Sequence, residues 1–221
     1  MPLQNRVDPF GAIHAVAERG MFTGNRGIIH DPDTRTLLPR RWTTKAWIIC
    51  ECDFGERRRV PMGRNGARNG GRNGPGGEKA GWTELFFLDE VTALAAGHRP
   101  CFYCRRERAR DFLSRFVTAY GIAEPRAPQL DTRLHGERLA SGAKPAMMTP
   151  ADIAELPEGA MFSTGATCFT RRDGRYLQWS FAGYISASIP EADGFVLLTP
   201  PATVAVLRAG YRPDWHASAG A

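Results

Sequence analysis

The run Cys101-Phe102-Tyr103-Cys104 constrains this chain more than any other feature. Two thiols separated by two residues, behind a Gly97-His98-Arg99-Pro100 turn and ahead of a helical pattern, can approach one ion. The N-terminal end of the following helix favours thiolate charge. A tetrahedral zinc site needs four donors, so other parts of the chain must converge on this turn. Cys50 and Cys52 are the obvious donors. Residues i and i+2 of a regular strand place their side chains about 7 Å apart along it, whereas two thiolates on one zinc lie about 4 Å apart. One of the pair therefore ligates and the other packs, unless the strand ends or bulges there. Cys168, in an apolar strand pattern, reads as a small buried hydrophobe.

Five cysteines without an apolar leader at the N-terminus favour metal binding over a disulfide framework, and a cytoplasmic location is expected. A redox pair would need a βαβ context that the pattern lacks. Hydrophobic residues make up 43% and charged residues 24%, which excludes wholesale disorder. No stretch approaches the roughly 20 apolar residues of a membrane-spanning helix, so no membrane partner is expected. The net charge of +6 makes a polyanion such as DNA or RNA a plausible partner.

The fold class expected is α+β: a small zinc-stabilised α/β module over 1–124, followed by a small antiparallel β domain over 125–221. Residues 42–54 (WTTKAWIICECDF) are rich in aromatic and β-branched side chains and read as a strand. The tract 63–77, GRNGARNGGRNGPGG, has nothing to bury and is expected to be a disordered surface loop reaching 78. Asp89 can cap a helix over 90–96 that stops at Gly97. The next helix should run over 105–120, with Phe112, Phe116 and Val117 on one face. Pro125 and Pro128 break the pattern, and a short helix is expected over 131–139. Short alternating runs from Gly159 onward, with Asp173-Gly174 turning a hairpin, read as a small antiparallel sheet or barrel. A last helix over 201–209 starts at a proline and stops at Gly210.

The stretch Ala93-Leu94-Ala95-Ala96-Gly97-His98-Arg99-Pro100-Cys101-Phe102-Tyr103-Cys104-Arg105 resembles the second half of the zinc-binding N-terminal domain of the Ada DNA-repair protein. There such a stretch supplies two of four zinc ligands, and Phe86-Phe87 falls where that family has its preceding apolar strand. Gly24-Asn25-Arg26-Gly27-Ile28-Ile29-His30 is similar to the opening of a variant of this module. The resemblance covers about 22–112 and implies a ligand set of His30, Cys50, Cys101 and Cys104 on Zn²⁺. Cys52 competes with His30 for the fourth place, since a lone histidine is otherwise a hydrogen-bonded structural residue. His98 reads as a turn or supporting residue. The resemblance also implies nucleic-acid association, with Arg57, Arg58, Arg105 and Arg106 as phosphate contacts. Methyl transfer is not implied, because His30 stands in the place of the acceptor cysteine.

Two other readings have residues to offer. Asp131 and His135 lie four apart on a helical pattern, with Glu137 nearby, which a metal-dependent nuclease or hydrolase could use; a solvated charge pair is the plainer account. Tyr176, Trp179, Phe181 and Tyr184, interleaved with Arg171, Arg172 and Arg175, could stack bases, yet such aromatics more often form a core. A zinc-stabilised protein-interaction module is the third functional class. No hydrolase, nucleotide-binding or zinc-protease motif occurs, and no small-molecule cofactor is evident.

Overall fold

The computed structural model describes residues 1–55, 59–66, 77–123, 126–192 and 194–220. The N-terminal half contributes β1 (Arg6–Val7), β2 (Ile13–His14), β3 (Phe22–Asn25), β4 (His30–Asp31), β5 (Thr36–Leu37), β6 (Ile48–Glu51) and β7 (Leu85–Phe87). The chain continues through α1 (Glu90–Ala95), β8 (Arg99–Pro100), α2 (Arg106–Tyr120) and α3 (Ala127–Glu137). Then come β9 (Ala146–Met148), α4 (Pro150–Ala154), β10 (Met161–Thr164), β11 (Thr167–Arg172), β12 (Arg175–Ser180), β13 (Gly183–Ser186), β14 (Phe195–Leu197) and α5 (Pro201–Arg208). The architecture is α+β. One mixed sheet has the order β2-β1-β7-β3-β6-β8, and an antiparallel sheet has the order β13-β12-β11-β10-β14-β9.

Local chemistry accounts for the ends of several elements. Asp89 accepts a 2.8 Å hydrogen bond from the Thr92 N–H at the start of α1, and Gly97 ends that segment at φ +81°. A Cβ at Gly97 would lie 2.3 Å from Arg138 Cγ, so both backbone and space require glycine. Asp173 and Gly174, at φ 49° and 74°, turn the β11–β12 hairpin as expected. Gly121, in the left-handed region, closes α2.

Three expectations need correction. The strand expected over 42–54 is confined to Ile48–Glu51, because the preceding residues fold back: the Trp47 indole donates to Thr44 O and the Ile28 N–H to Thr43 Oγ1. The helix expected to start at Asp131 starts at Ala127 with Pro128 in its first turn, where a missing N–H costs nothing. The tract expected to be disordered begins with packed residues: Asn65 is fully buried, donating to Val60 O and Glu84. Residues 67–76 of that tract lie outside the described residues.

The proposed division at 124/125 falls on two residues outside the description, and the flanking halves share one core. A single cluster of buried residues joins Val7, Ile49, Leu85 and Leu94 of the first half to Phe162, Phe195, Val206 and Tyr211 of the second. Phe162, Phe169 and Phe195 of the second sheet belong to this packing, while Tyr184 and Trp179 belong to a second cluster with Leu88, Val91 and Ala95. Tyr184 is buried with its hydroxyl donating to Asp89, and Trp179 donates to Thr92, so β12 and β13 are pinned on α1. Among the described residues no helix is long and apolar enough to cross a membrane.

Candidate metal centre

Cys50 lies in β6, opposite Thr23 of β3. On its other side β6 pairs in parallel with β8, and the chain then enters the Cys101 turn with the Cys101 N–H donating to Ile49 O at 2.9 Å. This ladder sets Cys101 beside Cys50. The turn closes through Arg105 N–H to Cys101 O at 3.0 Å, which returns Cys104 to the same place and launches α2. The sulfurs of Cys50, Cys101 and Cys104 all lie within 4.8 Å of one another, close to the separation that a tetrahedral ion imposes on its thiolates, about 4 Å.

The three thiols behave as one unit. Hydrogen bonds from Cys104 and Cys50, outweighing burial, hold the Cys101 thiol far below its ordinary range. Cys50 is pushed up by its bonds to Cys101 and Cys104 and by burial, and Cys104 is raised chiefly by Cys101. The grouped sulfurs are a soft donor set that can hold a metal ion. Cys168 is buried elsewhere, its thiol pushed up to about 12 by that burial.

His30 does not join the group. Its Nδ1 lies 2.7 Å from Thr83 Oγ1 and its Nε2 3.3 Å from Gly63 O, both in the interior. The expectation of a fourth ligand at His30 is corrected: both ring nitrogens are occupied in tying β4 to Gly63 and Thr83. Cys52 is exposed, one residue past the end of β6, and is also outside the sulfur group. His98 is fully buried between Trp47 and Phe87, at ring distances of 5.1 and 4.6 Å. Burial lowers its pKa well below the ordinary value, and its neutral Nε2 accepts from Arg26 Nε.

Arg105 is not a surface cation available to phosphate. It is buried, with guanidinium contacts to Glu90 at 2.9 Å, Asp214 at 2.6 Å and Glu51 at 2.9 Å. Arg106 is exposed; Arg57 and Arg58 lie outside the described residues. Nor do the residues of the hydrolase reading converge. Asp131 is buried in a two-point pair with Arg99 at 2.8 and 2.9 Å. His135 packs its ring on Trp42, while Glu137 pairs with Arg133 and accepts from the Ala202 N–H at the start of α5. Burial and ion pairing spend these side chains on joining α3 to its neighbours.

A feature missed in sequence is the buried carboxylate Glu90, which takes Arg105, Arg108, the Tyr211 hydroxyl and the Asp214 N–H. Burial raises its pKa, but Arg105 and Arg108 outweigh that and hold the carboxyl below its usual range. The available signal was an acidic pair inside the apolar run Leu85–Ala96. Beside the sulfurs lies a cavity of about 380 Å³. Cys50 and Cys104 form part of its wall, with Cys52, Phe54, Trp82 and Phe86 among the others. Comparison with protein-family models, with curated proteins and with solved structures gives no match.

Proposed function

We propose that this chain is a zinc protein in which Cys50, Cys101 and Cys104 hold one ion. The observation that carries this reading is the approach of the three sulfurs from two separate segments, a strand and a turn at a helix start. Three thiolates suit a soft or borderline ion, and their tetrahedral spacing suits zinc. Bound there, the ion would link β6 to the start of α2 and supply positive charge to a thiolate cluster that otherwise retains protons. Metal analysis of purified protein tests the reading: one zinc per chain is expected, lost in Cys50→Ser, Cys101→Ser and Cys104→Ser and kept in Cys168→Ser. Zinc-free wild type, or zinc retained without Cys101, overturns it.

A nucleic-acid partner is a second reading. Its support is the net charge of +6 and the exposed Arg106 and Arg110 on α2, directly after the metal-bearing turn. Binding should weaken steeply with salt, by roughly one unit of log–log slope per phosphate contact, and Arg106→Glu should weaken it further. Affinity that is flat between low and physiological salt removes this reading.

A further inference from the structure

We infer that the fourth coordination position of this metal site is exchangeable and takes a small thiol with an apolar body from the adjoining cavity. The inference rests on the zinc reading above. Among the described residues, the group around Cys101 contains three ligand atoms and no fourth from histidine, cysteine, aspartate or glutamate. Two of those three residues, Cys50 and Cys104, stand in the wall of the cavity. A closed structural zinc site has four protein ligands, whereas a site with three keeps a position for an incoming one.

Of the other polar groups of the cavity, the exposed Cys52 thiol is free, while Glu51 pairs with Arg105 at 2.9 Å. Glu84 accepts from the Met62 N–H at 2.9 Å and from Asn65 Nδ2 at 3.2 Å, and it pairs with Arg59 at 3.3 Å. The Arg59 guanidinium lies over the Trp82 ring at 4.3 Å, and the Thr23 hydroxyl donates to Leu85 O. Apart from the Cys52 thiol, what the cavity presents to a ligand is aromatic: Phe54, Trp82 and Phe86 are all partly exposed there. Its volume, about 380 Å³, is within the range that binds small molecules. A soft, thiolate-rich ion prefers a sulfur donor, and the aromatic walls prefer an apolar body on that sulfur. The thiol would bind as thiolate, its proton passing to solvent.

The test uses the full chain loaded with Co²⁺, whose sulfur-to-metal charge-transfer absorption grows with each thiolate bound. Titration with phenylmethanethiol should raise that absorption to a plateau, whereas phenylmethanol should leave it unchanged. Trp82→Ala should weaken phenylmethanethiol by about tenfold, the value of one aromatic contact, with one Co²⁺ per chain retained. A spectrum insensitive to the thiol, with one Co²⁺ per chain confirmed, overturns the inference and leaves the zinc reading intact. Absorption that drops in Cys52→Ser before any thiol is added also overturns it, because Cys52 would then be the fourth ligand. Failure to take up Co²⁺ or Zn²⁺ at all overturns both.

Discussion

Replacing Cys101 by serine should remove the metal without unfolding the chain, and the size of the effect follows from how the turn is held. The Cys101 turn is fixed by four things besides an ion: the backbone bond to Ile49, the Arg99–Asp131 pair, the buried Arg105 contacts and the core beneath. The metal-free protein is therefore expected to be folded, and the ion adds only its binding free energy. With free zinc at a thousand times its dissociation constant, that addition is about 4 kcal/mol. For a chain of this length it corresponds to roughly 8–16 °C in melting temperature. Urea and thermal unfolding of wild type in buffered zinc and in chelator should differ by this amount. Cys101→Ser should match chelated wild type in both conditions. A wild type that unfolds outright in chelator would refute the reasoning, as would a Cys101→Ser variant that still gains stability from zinc.

His30→Ala should retain zinc but lose about 1–3 kcal/mol of stability, because it leaves buried partners at Thr83 and Gly63; metal analysis beside urea unfolding checks both halves of that statement. Zinc affinity should rise with pH. Cys50 and Cys104 have raised pKa values, so uptake must displace thiol protons and affinity should climb steeply with pH. A pH-independent affinity by competition titration would contradict the shared-proton arrangement. Glu90→Gln should cost about 3–5 kcal/mol, since it takes the charge partner from the buried Arg105 and from the partly exposed Arg108; a loss below about 1 kcal/mol in urea unfolding would show that Asp214 and Glu51 suffice.

Legibility of the fold tracked the range of the interactions involved. The α1 boundaries and the β11–β12 hairpin were readable because Asp89, Gly97, Asp173 and Gly174 act within a few residues of themselves. The sulfur cluster was readable in part: the two-residue spacing demands donors from elsewhere and the expected strand offered Cys50 or Cys52, while the choice of Cys50 came only with the family resemblance. The end of β6 just before Cys52 is the exception under which both cysteines could ligate, yet Cys52 stands exposed and outside the group. The failures are long-range. His30 is occupied by Thr83, 53 residues away, and Arg105 by carboxylates as far as Asp214, 109 residues away. Nothing in a local arginine-rich pattern distinguishes a phosphate contact from a buried counter-charge. Residues 131–137 looked like a reactive face only because helical spacing aligns side chains; tertiary partners then divided them among three neighbours.

The position of Arg105 links those long-range contacts to the metal site. It follows Cys104 directly, and its three carboxylate partners come from beside Cys50, from the start of α1 and from the C-terminal segment. Buried ion pairs add little net stability, but removing one partner is costly, so they fix which segments meet. Here they fix the start of α2 against β6, so the geometry of Cys104 relative to Cys50 is set by the folded chain itself. Glu51, the residue after Cys50, is a partly exposed member of the network, and its contact joins β6 to the start of α2 outside the sulfurs. A site assembled this way would need little ordering when an ion arrives.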